Sequence, residues 1–353
     1  MANSVVKNPT VSIIVVARNE ARPLQRLLVD LARQDYPSGQ MELLLVDSES
    51  VDDTRKVMEY AASKHDYHMV RVMSNPQIRL ANGWNEGIRC SSGELVVRID
   101  AHASVPPNFI RESVEAVSDG FDIAGGARPS ILEPGSETAW REVLLCVESS
   151  RLGGSPASYR NAKTVARAER VFHAMCKREV FETVGLLNTR LGRTEDNEFF
   201  YRAGRAGLII GLSPYICSYQ FVRSSLRRMV RQKFGNGYWV GLTTSVCPRA
   251  FSLFHFIPMM FVVALTGCLC VMPVSPIALG ALLLVYVVAV TSTCVKTARS
   301  KAHVAWYALS PVVALCVHVA YGFGTLVGLC AIPFKGGRRL RGAETCVPAP
   351  SPW

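Results

Sequence analysis

The sequence predicts an α/β fold: a mostly parallel sheet domain over residues 1–245, then transmembrane helices over residues 246–334 and a basic, proline-rich tail at 335–353. Three observations predict it. Short β-branched runs alternate with longer amphipathic ones from Val11 onward, the pattern of parallel strands joined by helical crossovers. No Asp, Glu, Lys or Arg occurs from Ala250 through Val295, and a water-exposed surface does not go uncharged for so long. An apolar run, Val96 to Ala103, ends abruptly in a carboxylate and an imidazole, Asp100 and His102, as a buried strand does where it delivers polar groups to its carboxyl end.

Taken in order, Val11 to Ala17 reads as a strand and Ala21 to Gln34 as a helix. Glu42 to Val46 and Asp53 to Ser63 repeat the pair. Met69 to Met73 follows as a strand, then Leu80 to Cys90, whose Leu80, Trp84 and Ile88 fall on one helical face. After the central strand come Pro106-Pro107, a helix to about Ser118 and a strand from Asp122 to Ala127. Arg141 to Val147 reads as helical, and Gly153 to Lys163, rich in Gly, Ser and Ala, as a loop. Val171 to Cys176 is a strand and Arg178 to Val184 a short helix. Gly192-Arg193-Thr194 opens a helix to about Arg205, and Leu208 to Leu212 returns as a strand. Leu253 to Met272 and Ile277 to Val295 each approach the twenty residues that span a hydrocarbon core of roughly 30 Å, with Pro273 to Pro276 as a tight hairpin between them. Ala302 to Phe334 is longer than one span needs. It is either one helix with an interfacial lead-in broken near Pro311, or two short helices turning at Gly322-Phe323-Gly324, so the region holds three or four helices.

The chain has 353 residues, 49% of them hydrophobic, and a formal charge of +11. The basic residues gather at Arg223, Arg227, Arg228, Arg231 and Lys233, at Lys296, Arg299 and Lys301, and from Lys335 to Arg341. All three groups flank apolar runs, which suits loops beside anionic lipid better than a nucleic-acid groove. The 11 cysteines include no Cys-x-x-Cys pair, and several lie in apolar segments. They read as small buried hydrophobes in a reducing compartment, not as a disulfide frame or zinc site. Val11 to Ala17, followed at once by Arg18-Asn19-Glu20, is too short and too charged behind for a signal peptide.

Four stretches carry chemistry. Along the central strand Val97 and Ile99 face the packed layer, while Arg98, Asp100 and His102 share the other side. An Asp with a His at a strand rim suits a divalent cation, the carboxylate favouring Mg²⁺ and the imidazole shifting the choice towards Mn²⁺. Asp47 ends the second strand, with Asp52 five residues on. An acid there accepts hydrogen bonds from a base or ribose, though Ser50, Asp52 and Asp53 suit helix capping as well. No Gly-x-x-x-x-Gly-Lys loop is present, nor Gly-x-Gly-x-x-Gly after the first strand, which disfavours P-loop hydrolysis and ordinary dinucleotide binding. Thr194-Glu195-Asp196 stands at a helix start, where Thr194 is the expected cap and the helix dipole is expected to keep Asp196 ionised as a general base.

Together these residues resemble a family. Val11 to Glu20, Leu45-Val46-Asp47 with Ser50-Val51-Asp52, Arg98-Ile99-Asp100-Ala101-His102, and Glu195-Asp196 with Arg202 and Gly207 occur in the order seen in family 2 GT-A glycosyltransferases. The match covers roughly Val11 to Tyr238. The Arg-Ile-Asp-Ala-His form and the hairpin-rich tail look most like succinoglycan-type glucosyltransferases, which extend lipid-linked saccharides in exopolysaccharide biosynthesis.

The resemblance implies a Rossmann-like GT-A domain and assigns roles within it. Asp47 would bind uracil or ribose, with Asp52 supporting the nucleotide loop and Arg98, Glu195 and Gln232 completing the substrate-binding set. Asp100 and His102 would stand in for the family's Asp-x-Asp and hold Mn²⁺ or Mg²⁺ on the donor diphosphate. Asp196 would deprotonate the acceptor hydroxyl, giving inversion. Processive members carry Gln-x-x-Arg-Trp, whereas here Gln232-Lys233-Phe234 is followed by Gly235-Asn236, which favours single additions. The implied activity is transfer of a hexose, glucose from UDP-glucose, from a nucleotide-sugar donor to a lipid-linked (polyprenyl diphosphate) saccharide. The implied setting is a multi-pass protein of the inner cell membrane with its catalytic domain in the cytoplasm and no nucleic-acid partner. The alternative is a non-catalytic membrane assembly subunit that retains a nucleotide-binding domain.

Overall fold

The computed structural model describes residues 8–154, 163–297 and 304–341. The tail beyond residue 341, Arg299, Lys301 and positions 155–162 of the expected loop lie outside the described residues. The chain forms two compact units, one of described residues 8–129 and 163–220, the other of 130–154, 221–297 and 304–341. The helix expected over Arg141 to Val147 falls in the second unit, with the apolar helices.

The elements run β1 (Val11–Ala17), α1 (Ala21–Ala32), β2 (Met41–Asp47), α2 (Thr54–Ser63), β3 (Met69–Ser74), α3 (Leu80–Cys90) and β4 (Leu95–Asp100). Then come β5 (Ala103–Ser104), α4 (Phe109–Ser118) and β6 (Ile123–Ala127), followed in the second unit by β7 (Ser130–Ile131) and α5 (Ala139–Ser149). The first unit resumes with β8 (Ala166–Arg167), β9 (Phe172–Lys177), α6 (Arg178–Val184), α7 (Glu195–Arg205), β10 (Ile210–Cys217) and β11 (Tyr219–Phe221). The central run is therefore shorter than expected. Its strand stops at Asp100, and His102 lies in the turn that follows.

The main sheet has the order β3-β2-β1-β4-β9-β6-β10-β8. β1 to β4 are mutually parallel, β9 is antiparallel to both β4 and β6, and β10 runs parallel to β6 and antiparallel to β8. All strands but β8 and β9 thus point one way, a mixed but mostly parallel sheet. β1 and β2 are buried along their whole length, as strands covered on both faces are. The chain builds outward from β1 to β3, then returns to place β4 on the other side of β1. Such a reversal opens a crevice at the carboxyl ends of the two diverging strands. Ala17 pairs with Asp47 and Val16 with Asp100, so both carboxylates flank the end of β1 on one rim.

The core beneath joins Ile13, Val15, Leu43, Leu45, Val97 and Ile99 to Leu24, Leu27 and Leu31 of α1 and to Phe109 of α4. On the opposite face α3 lies tight against β1. A Cβ at Gly83 or Gly87 would collide with Val16 or Ile14.

The second unit continues with α8 (Leu226–Thr243), α9 (Ile257–Val271), α10 (Ile277–Val295), α11 (Ser310–Cys330) and α12 (Ile332–Lys335). The sequence had left α8 unassigned, since its four basic residues and three glycines suit an isolated helix poorly. Packing supplies the reason it forms. Gly237 and Gly241 of α8 meet Gly324 and Gly328 of α11 backbone to backbone, and a Cβ at any of the four would strike a carbonyl of Tyr321, Thr325, Phe234 or Tyr238. Small residues four apart permit this approach. The same fact resolves the third apolar run. α11 passes unbroken through Gly322 to Gly324 behind a 3₁₀ lead-in at Val304–Leu309, so glycines that suggested a turn are a packing surface. Among the described residues three helices are long and apolar enough to cross a membrane, Leu253–Val271, Ile277–Val295 and Ala305–Cys330.

Candidate active site

Two interlocked loops border the crevice. Past β1, Asn19 adopts a left-handed conformation with φ 54°. Its N–H donates to Ser50 Oγ at 3.0 Å, and its Oδ1 accepts from the Val51 N–H at 2.9 Å. Asp52 is spent on the backbone, accepting from the N–H of Thr54 at 3.0 Å and of Ala21 at 3.3 Å. Its bonds from Thr54, with that from Ala21, hold its carboxyl below the usual range. Asp52 therefore ties the start of α2 to the start of α1. Asp47 is 5% exposed and accepts from the Ser50 N–H at 3.2 Å.

A second cluster forms around Asp100, and strand order explains it. Because β6 runs with β4 while β9 runs against both, the end of β6 and the start of β9 arrive at the rim where β4 ends. Arg128, just past β6, donates Nη2 to Asp100 Oδ2 at 3.1 Å and lies 3.4 Å from the centroid of the Phe172 ring. Next to Phe172, His173 takes a left-handed φ of 43°, a strained state for a non-glycine residue that persists where surrounding structure over-determines it. Its buried Nε2 accepts from the Asp100 N–H at 3.2 Å and lies 3.5 Å from Asp100 Oδ2. Burial lowers the His173 ring's proton affinity despite the neighbouring carboxylate. Burial by itself would also raise the Asp100 carboxyl, but His173 and Arg128 outweigh it and hold it well below the usual range.

His102 lies with Nδ1 3.6 Å from Glu20 Oε1, and its charge also bears on Asp100. Among the described residues no three His, Cys, Asp or Glu side chains converge as a metal cage. Every described contact of the Asp100 carboxylate falls on Oδ2, and the side chain is 20% exposed. One open carboxylate oxygen fits a Mg²⁺-like ion whose remaining positions are filled by substrate phosphate and water. It does not fit a site closed by protein alone.

The third element is the acidic start of α7. Arg98, two residues before Asp100 on the same face of β4, lies with its guanidinium 5.5 Å from the Trp84 ring centroid and 6.0 Å from that of Phe199. Its charge bears on both Glu195 and Asp196. Glu195 is 7% exposed with Oε2 buried and unpartnered. Burial, reinforced by the charge of Asp196, pushes it up to about 7. Asp196 Oδ1 accepts from the Asn197 N–H at 2.7 Å and from Asn197 Nδ2 at 3.0 Å. The helix dipole is expected to favour the ionised form of Asp196, and two features act against that preference. Thr194 makes no side-chain capping bond, and desolvation raises Asp196 in spite of Arg98.

The first unit therefore brings Asp47 and Asp100 to one rim and gathers Glu195 and Asp196 about Arg98. Gln232 lies on α8 in the second unit, where its Oε1 accepts from Arg223 Nε at 3.0 Å. Arg128 and His173 escaped the sequence reading. Arg128 carried a faint signal, a polar residue directly behind an apolar strand, as at Asp47 and Asp100. His173 carried none, since nothing in Val171 to Cys176 reveals that its strand runs backwards.

Comparison with known proteins agrees with this geometry. Residues 12–185 match the family model of Glycosyl transferase family 2. The chain is 24% identical over 324 residues to the dolichyl N-acetyl-alpha-D-glucosaminyl phosphate 3-beta-D-2,3-diacetamido-2,3-dideoxy-beta-D-glucuronosyltransferase of Methanococcus voltae, covering 90% of this chain and 97% of that protein. It is 25% identical over 228 residues to the succinoglycan biosynthesis protein ExoA of Rhizobium meliloti, covering 64% of this chain and 67% of that protein. A mannosyltransferase from Pyrobaculum calidifontis, solved with GDP-Man and Mn²⁺, superposes with a TM-score of 0.56 at 18% identity over 90% of this chain and 88% of that one. That likeness shows the fold to be of the GT-A kind.

Proposed function

The chain carries a glycosyl transferase family 2 domain over residues 12–185, and from that premise we propose that it moves one hexose, glucose from UDP-glucose, onto a saccharide linked to polyprenyl diphosphate. The observation that carries this reading is the shared rim. The Asp100 carboxylate ends the strand on which Arg98 bears on the buried Glu195 and the half-buried Asp196. The dolichyl phosphate in the name of the Methanococcus voltae relative supports a lipid-linked acceptor, and the name of the Rhizobium meliloti relative supports a part in succinoglycan-type biosynthesis.

In this reading Asp47 accepts hydrogen bonds from the nucleoside, and Asn19 and Asp52 keep its two loops closed. Asp100, with His102 near it, would hold Mn²⁺ or Mg²⁺, which would supply positive charge against the departing diphosphate. Glu195 and Arg98 line the sugar side. Asp196 takes the proton of the acceptor hydroxyl. The hydroxyl oxygen bonds to the anomeric carbon as the carbon–diphosphate bond breaks on the opposite face, so configuration inverts and nucleoside diphosphate leaves. A base raised by burial holds the abstracted proton better than an ordinary carboxylate. Gln232 belongs to the acceptor side, with single addition rather than polymerisation as the outcome.

The basic groups from Arg223 and from Lys296 are assigned to the cytoplasm, with Pro273 to Pro276 across the membrane. The third apolar run adds no crossing in this reading. Val313, Ala314 and Val317 of α11 pack with Val143 and Val147 of α5. That same α5 carries Glu148, paired to Lys233 at 2.9 Å, and Glu142, which accepts from Tyr307 at 3.3 Å. Beyond this charged surround only residues 319–330 are left, about 18 Å of helix against a core of roughly 30 Å. Two crossings keep the basic flanks on one side.

The deciding experiment incubates membranes containing the protein with a panel of radiolabelled nucleotide sugars and extracts the lipid. Label passing to lipid from one donor is expected. Tight UDP binding without transfer from any donor would point instead to a non-catalytic assembly subunit.

A further inference from the structure

We propose that Arg128 is a resident cation on Asp100 that keeps divalent metal off the donor-free protein, so that metal loads only together with a nucleoside diphosphate. This rests on the reading of the rim as a nucleotide-sugar site. The guanidinium is held from two directions, by Asp100 Oδ2 at 3.1 Å and by the face of Phe172 at 3.4 Å, and its side chain is only 10% exposed. A divalent ion drawn to the other oxygen would share one carboxylate with a cation already in place, and like charges so close repel strongly in a partly buried site. His173 offers no compensation. Its Nε2 is engaged by the Asp100 N–H, and its Nδ1 is buried. At Asp100 itself the donor-free rim therefore presents one carboxylate oxygen beside an opposing charge.

A nucleoside diphosphate reverses that balance. Its phosphate oxygens complete the shell of a Mg²⁺-like ion. They also give the planar guanidinium a bidentate partner that competes with Asp100. Arg128 then moves from carboxylate to phosphate, with Phe172 as the platform on which its plane turns, and Asp100 is released to the metal. Lysine cannot replace it fully, since a point charge neither stacks on the ring nor bridges two oxygens.

The test measures Mn²⁺ binding to the full-length protein by electron paramagnetic resonance, with MnCl₂ alone and with MnCl₂ plus UDP or GDP. Wild type, Arg128→Met and Arg128→Lys are compared. Without nucleotide, Arg128→Met is expected to bind Mn²⁺ at least tenfold more tightly than wild type, a gain that a damaged fold does not produce. Arg128→Lys is expected to fall between them. Nucleotide should tighten Mn²⁺ binding more than tenfold in wild type and far less in Arg128→Met. Metal that binds with nucleotide, but with equal donor-free affinity in wild type and Arg128→Met, overturns this inference alone. Nucleotide binding indifferent to Mn²⁺ in all three proteins overturns the metal-site reading and this inference with it.

Discussion

Replacing Glu195 with glutamine should stabilise the protein at alkaline pH and leave it unchanged in acid. The side chain is 7% exposed, its Oε2 has no partner, and burial pushes its carboxyl from 4.5 up to about 7. The folded state thus holds a proton that the unfolded chain gives up near pH 4.5. Its contribution is complete below that value, drains away as pH rises to about 7, and stays lost above. The interval between 4.5 and about 7 amounts to at most about 3 kcal/mol. Glutamine has the same shape and cannot ionise, so Glu195→Gln should exceed wild type by up to that amount at pH 8. In a unit of this size that is a rise in Tm of roughly 6–12 °C. Differential scanning fluorimetry of both proteins in one detergent, from pH 5 to pH 8.5, measures it. Parallel Tm–pH curves for the two proteins, or a variant less stable at pH 8, would refute the buried-carboxylate argument.

Asp196→Asn should cut turnover by roughly two to four orders of magnitude with donor affinity unchanged, while Asp47→Ala should weaken donor affinity and keep turnover at saturation. A folded Asp196→Asn enzyme near wild-type turnover removes the general base from the mechanism. Asp100→Asn should abolish EDTA-sensitive donor binding and His102→Ala should weaken it less, so equal nucleotide-sugar affinity with and without EDTA in wild type argues against a metal. Gly324→Leu should force α8 from α11, because its Cβ meets the Phe234 carbonyl. Loss of folded protein from the membrane, seen as aggregation in fluorescence-detected size exclusion, is the expected readout, and unchanged yield and Tm would contradict the close approach. A reporter fused after Leu340 should lie on the same side as residues 12–185, and a cysteine at Ser275 on the opposite side. A reporter on the Ser275 side would mean that α11 crosses.

What the sequence by itself determined is whatever depends on local order. Alternation of apolar runs located β1 to β4 and their helices, because a doubly covered strand must be apolar throughout. The charge-free stretch located α9 and α10, because hydrocarbon tolerates no unpaired charge. Asp47 and Asp100 were legible because a carboxylate directly behind an apolar strand has only the rim to occupy. The tertiary structure decided everything that turns on which segments become neighbours. The reversal of β9 is invisible in Val171 to Cys176, yet it sets His173 and Arg128 on Asp100. The dipole at the start of α7 was readable, but the desolvation that raises Asp196 against the charge of Arg98 comes from the folded surroundings of that helix start. In α8 and α11 the glycines weaken each helix taken alone, and they become an asset only once two backbones meet. Local pattern is written into the chain's own period, whereas strand order, burial and close approach arise between residues far apart, and no short window of sequence contains them.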